Sequence, residues 1–243
     1  MKFQKYMAVG ILGLTMALGF SGCQSENQKN QDAYRKIGIN SMAEGDYDKA
    51  VKSFQKALDT SLGKIGAEEI DICYYKAAAQ FAKKDYDGAI ETYTSLIDYD
   101  KENANAYYLR GSVYLDTDKK DKAFKDYKNA VKYAGREYEI YEGIYENLTN
   151  KGETEEAKNY LKKALDIKPK DGADYAEQGH VYYLLEDYTQ AKSSLDRAID
   201  KDDKTALLYL AEVYNATDQQ EQGQALLESY VKENAKDSEA LNT

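Results

Sequence analysis

The sequence predicts an all-α chain of short helical hairpins stacked one on the next, and three observations predict it. Within Tyr138–Asp171, the residues Tyr141, Ile144, Tyr145 and Leu148 recur at helical spacing. A polar turn, Asn150-Lys151-Gly152, follows, and Ala157, Leu161, Ala164 and Leu165 then form a second apolar stripe. The same pattern returns roughly every 34 residues along the chain. The 243 residues contain one proline, Pro169, so little interrupts the helices. A helix pair this short cannot bury both of its stripes alone and needs a similar pair on each side. Gly152 suits the left-handed backbone of the tight turn.

Composition sets the outer bounds. At 42% apolar the chain can bury a sizeable core, and a formal net charge of −10 repels phosphate backbones. Nucleic acid is therefore not an expected partner. Tyrosine, with 24 copies and no tryptophan beside it, carries most of the aromatic packing.

The N-terminus reads as a targeting segment over Met1–Gly22. Lys2 and Lys5 precede the uncharged apolar run Met7–Phe20, which is too short to span a bilayer comfortably. The run ends in Phe20-Ser21-Gly22-Cys23. This resembles a bacterial lipoprotein signal, in which small residues precede a cysteine that becomes the lipid-bearing first residue, although Phe20 stands where leucine is usual. The resemblance implies diacylglycerol and fatty acyl (palmitate) chains on Cys23. Two or three such chains would hold the protein at a cell membrane, facing outside the cytoplasm. Residues 23–30 then read as a flexible polar leader. The remaining cysteine, Cys73, lies in the apolar stretch Ile72-Cys73-Tyr74-Tyr75 and reads as a buried, unreactive thiol with no disulfide partner.

Residues 31–237 carry the repeats. The first unit, 31–64, has Tyr34, Gly38, Gly45-Asp46-Tyr47, Ala50, Phe54 and Ala57. The second, 70–103, has Asp85-Tyr86, Ala89 and Tyr93, with Cys73 and Ala77 in place of an aromatic and a glycine. The third, 104–137, has Tyr107, Gly111, Tyr114, Ala123, Tyr127 and Ala130. The fourth, 138–171, puts Tyr145 where a small residue is expected. The fifth, 172–205, has Tyr175, Gly179, Tyr182, Asp187-Tyr188, Ala191, Leu195 and Ala198. The sixth, 204–237, has Leu207, Ala211, Tyr214, Gly223, Leu227 and Tyr230, and 238–243 form a C-terminal tail. This array resembles the tetratricopeptide repeat (TPR) family. The resemblance implies a right-handed superhelical solenoid of about six helix-turn-helix units. With no capping helix after it, the last helix, near 219–234, is expected to fray or to be covered by a partner.

No catalytic constellation stands out. His180 is the single histidine, there is no phosphate-cradling glycine loop, and Glu155-Glu156 reads as helix-start charge. The chain reads as no enzyme, with no cofactor and no metal. The family resemblance implies that the first helix of each unit lines a concave groove. Carried over, the candidate groove residues are Arg35, Tyr74, Phe81, Tyr108, Leu115, Glu139, Glu142, Glu146, His180 and Tyr183. Tyr74, Phe81 and Tyr108 would form an aromatic floor, and Glu139, Glu142 and Glu146, three and four apart, an acidic wall. His180, at a groove position, reads as a partly exposed filler, with a pH-sensitive contact near Glu146 as the alternative. The chaperone-binding carboxylate clamp of the family is not reproduced, because Arg35 is followed by Ile39 and Tyr74 by Ala78. The expectation is a membrane-anchored, extracytoplasmic scaffold that binds a protein or peptide with basic and apolar side chains. Alternatives are a pilotin-like assembly factor for an envelope secretion or pilus machine, a tether for an envelope enzyme, or self-association.

Overall fold

The computed structural model describes residues 25–240, apart from positions 62 and 64. The targeting segment, Cys23 and residues 241–243 lie outside that range. Twelve helices are described: α1 Glu26–Ala43, α2 Tyr47–Asp59, α3 Ala67–Ala82, α4 Tyr86–Tyr99, α5 Ala104–Asp116, α6 Lys120–Tyr133, α7 Tyr138–Asn150, α8 Thr154–Ala164, α9 Gly172–Leu184, α10 Tyr188–Ile199, α11 Ala206–Ala216 and α12 Gln220–Ala240. They form six hairpins in two compact units, divided after Gly135. Within each unit every hairpin packs on the next: α2 on α3 and α4 on α5 in the first, α10 on α11 in the second.

The hairpin corners explain the Gly-Asp-Tyr signature atom by atom. Gly45 has φ +78° and Gly152 φ +81°, but Lys84, Asp118, Glu186 and Asp218 hold the same left-handed corner at φ between 56° and 67°. In each corner the amide of the following residue donates back to the carbonyl five residues earlier, as from Asp46 to Ser41 and from Asp187 to Tyr182, closing a Schellman turn. In three of the corners an aspartate follows the left-handed residue and caps the second helix. Asp46, Asp85 and Asp187 accept from the amides of Lys49, Gly88 and Gln190. Glycine is therefore one way to make the corner and aspartate is the separate signal that starts the next helix.

The core runs between the two helices of each hairpin and, within each unit, on to the first helix of the next, as from Phe54 to Ile72 and from Leu195 to Leu210. An added Cβ on Gly38 would meet the Phe54 ring at 2.5 Å, on Gly111 the Tyr127 ring at 2.9 Å, and on Gly179 Leu195 at 2.6 Å. Phe54, Tyr127 and Leu195 are fully buried, so these glycines exist to admit them. In the fourth hairpin Tyr145 stands at this position, half-buried, with its hydroxyl 3.5 Å from the Leu184 carbonyl.

Both ends of the array depart from the sequence expectation. Helix α1 starts at Glu26, inside the stretch read as leader, because Ser25 accepts from the amide of Gln28 and Gln31 is buried with its Nε2 2.7 Å from Glu69. Helix α12 runs to Ala240, into the stretch read as tail, and leaves Leu227 and Val231 exposed.

Candidate functional site

In the first unit, the first helices of the three hairpins are α1, α3 and α5. Arg35 on α1 does not stand free. Its Nε lies 2.8 Å from Asp71 Oδ2 on α3, and its guanidinium sits 5.2 Å from the Tyr75 ring centre. Tyr74 is buried, and its hydroxyl donates to Asn103 Oδ1 at 2.6 Å, the same atom that caps α5. Tyr108 and Leu115 are buried as well, Tyr108 with its ring 6.4 Å from that of Tyr127. Phe81 is half-buried, edge-on to Tyr86. Tyr74, Tyr108 and Leu115 are thus packing residues between helices and not an open aromatic floor. The alanines and glycines beside them let the helices come close enough to cover these rings.

In the second unit the corresponding helices are α7, α9 and α11, and the surface is different. Glu139 is exposed, and Glu142 and Glu146 are half-buried on the same face of α7. His180 Nδ1 on α9 lies 2.9 Å from Glu142 Oε1. His180 is thus paired rather than a partly exposed filler, and its partner is Glu142, one turn before Glu146. The imidazole is stacked on Tyr209 of α11, with ring centres 4.3 Å apart and planes 10° apart, and has Tyr183 at 6.1 Å on its own helix. Burial alone would lower the pKa of His180. The hydrogen bond with Glu142 and the charges of Glu142, Glu177 and Glu212 more than reverse this, so the pKa lies above its ordinary value.

Glu177, one turn before His180, was not singled out from the sequence. Among the described residues its carboxylate makes no hydrogen bond and no ion pair. Its carboxyl is pushed up to about 7, first by burial and then by the charges of Glu142 and Glu139, with His180 acting against them. The nearby arginine, Arg136, is engaged elsewhere, paired with Asp174 and donating to the Lys168 carbonyl. The phenol of Tyr209 is also raised, by burial and then by Glu177, Glu142, Glu212 and Glu139. Three successive first helices therefore gather carboxylates around one histidine and two tyrosines. The signal that could have found Glu177 is the Glu177-x-x-His180 spacing, which puts both side chains on one helical face.

Family models for the tetratricopeptide repeat match residues 32–61, 104–136 and 146–171, and 177–239, and a TPR repeat model matches 77–118. Together these span most of the chain. The chain belongs to the tetratricopeptide repeat family. Among curated relatives, this TPR chain is 21% identical over 217 residues to anaphase-promoting complex subunit 3 of Schizosaccharomyces pombe, covering 77% of this chain and 33% of that protein. It thus spans about a third of that relative's length. Among solved structures, Pseudomonas aeruginosa pilF matches at 16% identity over 83% of this chain and 90% of that one, with a TM-score of 0.47. A tetratricopeptide repeat protein from Parabacteroides merdae matches at 13% identity over 94% and 84%, with a TM-score of 0.49. No helix among the described residues is long and apolar enough to cross a membrane.

Proposed function

We propose that the chain is a non-catalytic TPR scaffold that holds a protein or peptide partner on the first-helix face of its second unit and is anchored by lipid at Cys23 outside the cytoplasm. One observation carries the binding half. Glu139, Glu142, Glu177 and Glu212, from the first helices of three successive hairpins, concentrate negative charge around the rings of Tyr209 and His180. Such a surface favours a segment with lysine or arginine next to apolar side chains, because charge complementarity steers encounter and flat rings supply contact area. The location half is supported by the basic start, the apolar run and the Ser21-Gly22-Cys23 ending.

Two experiments test it. A photoreactive group at Glu139 should crosslink the partner in intact cells, and one at the exposed Lys128 on α6 should not. Charge reversal at the exposed acids Glu139 and Glu212 should then weaken binding of the captured segment by roughly tenfold or more and flatten its salt dependence. Equal crosslinking from both positions would overturn the binding reading. Palmitate labelling should be lost in Cys23→Ser, with release from the membrane fraction, and unchanged labelling would overturn the anchoring reading.

A further inference from the structure

We propose that Glu142, Glu177 and His180 form a binding site for a divalent transition-metal ion of the zinc type. The site goes beyond the peptide-binding reading and does not depend on it. One ligand atom from each residue, the two carboxylate oxygens and a histidine ring nitrogen, can be chosen so that all lie within 4.8 Å of one another. In a tetrahedral shell with bonds of about 2.0–2.2 Å, ligand atoms stand roughly 3.3 Å apart, so a small side-chain rotation closes the set. His180 Nδ1 and Glu142 Oε1, 2.9 Å apart, are already close enough that opening by a few tenths of an ångström would let both bind one ion.

The chemistry of the donors favours this class of ion. One imidazole nitrogen with two carboxylate oxygens suits zinc, iron or manganese better than the all-oxygen shells of calcium or magnesium. Glu177 and His180 stand three apart on α9, the Glu-x-x-His spacing by which a helix offers two ligands inward, and Glu142 supplies the third from α7. Three protein ligands leave one coordination position open to water or to a partner's side chain.

Three further observations favour an ion over a simple histidine–glutamate pair. Glu177 is a half-buried carboxylate with no hydrogen bond or ion pair among the described residues and only the His180 imidazole, within 4.8 Å, to offset its charge, an expensive arrangement that a bound cation would relieve. Tyr138 is 1% exposed, its hydroxyl has no hydrogen-bond partner among the described residues, and it lies within electrostatic reach of Glu177. The His180 ring is held by its stack on Tyr209, so its nitrogen is oriented before any ligand arrives.

The test is titration of the full, chelator-treated chain with Zn²⁺ by calorimetry near neutral pH, and with Co²⁺ by visible absorption. The expected result is one Zn²⁺ per chain and Co²⁺ bands of a low-coordinate nitrogen and oxygen site, displaced by Zn²⁺ and free of thiolate charge transfer. Glu177→Gln and His180→Gln should each weaken Zn²⁺ binding by about tenfold or more, and Cys73→Ser and Glu221→Gln should leave it unchanged. Should His180→Gln lose helicity by circular dichroism, Glu177→Gln decides, because Glu177 has no fold partner to lose. Absence of Zn²⁺ binding to the wild-type chain would overturn the proposal. So would unchanged affinity in Glu177→Gln, or a Co²⁺ spectrum dominated by thiolate.

Discussion

In unit 1 the buried acids Asp71 and Asp126 are each met by an arginine, whereas in unit 2 an arginine meets Asp174 but none meets Glu142 or Glu177. Asp71 is met by Arg35, and Asp126, 3% exposed, is held by Arg110 through two bonds of 2.7 and 2.9 Å, with Thr94 on a third guanidinium nitrogen. In unit 2, Glu142 has the His180 imidazole and the Glu177 carboxylate has no hydrogen bond or ion pair among the described residues. One repeat architecture thus holds a satisfied polar layer and, a few hairpins later, an unsatisfied one. The first behaves as structure, since removing either half strands the other. The second carries a standing cost that a ligand would relieve.

The sharpest way to break that contrast is to cut one partner in each unit. Arg110→Met leaves Asp126 buried and alone, and should cost about 3–5 kcal/mol, read from urea unfolding. Glu177→Gln in the chelated chain should cost nothing and gain up to about 1 kcal/mol, since it removes a poorly solvated charge. Equal losses in the two variants would erase the difference. Next comes a change that ignores electrostatics. Gly111→Ala and Gly179→Ala should each cost about 1–3 kcal/mol, because Tyr127 and Leu195 occupy the space a methyl needs. Similar losses in both units would show that packing is shared and only the charge layer differs.

A smaller effect concerns pH in unit 1. Burial, a hydrogen bond with Asp32 and the charges of Asp32 and Glu69 push the Glu68 carboxyl up to about 7, with Arg35 pulling the other way. A carboxyl raised on folding contributes stability that is fully present below its unfolded value, near 4.5, and is lost as pH rises through about 7. Glu68→Gln should flatten the stability profile across that window. Solvent screening keeps the change below about 1 kcal/mol. The smallest effect is at a corner. Lys84→Gly should stabilise by roughly 0.5 kcal/mol in thermal melts, the relief of a left-handed side chain less the added chain entropy.

Much of the fold was legible because its signals are local. Asp46, Asp85 and Asp187 announce helix starts, and Gly38, Gly111 and Gly179 announce close helix approach, with no reference to the rest of the chain. The site was less legible because it depends on which side of each helix is covered. Tyr74 and Tyr108 stand where the family places groove residues, but a tyrosine with a buried ring and a hydrogen-bonded hydroxyl has the same one-dimensional pattern as an exposed one. Glu142 and His180 were picked out as groove residues but not as a pair, His180 being read as a filler, and Glu177 was passed over because its position falls between the family's groove positions. Glu177 was missed by one position around the helix axis, where about 100° separates neighbouring residues.

The corners between paired helices have a practical use. At Gly45 and Gly152 an added Cβ would meet nothing within 4 Å, and Lys84 and Asp118 already carry side chains at the same left-handed corners. A cysteine at any of these bends could bear a fluorophore or spin label without disturbing the packed interior. Placed at Gly152, beside the acidic face but on a different part of its hairpin, such a reporter would follow ligand arrival in real time.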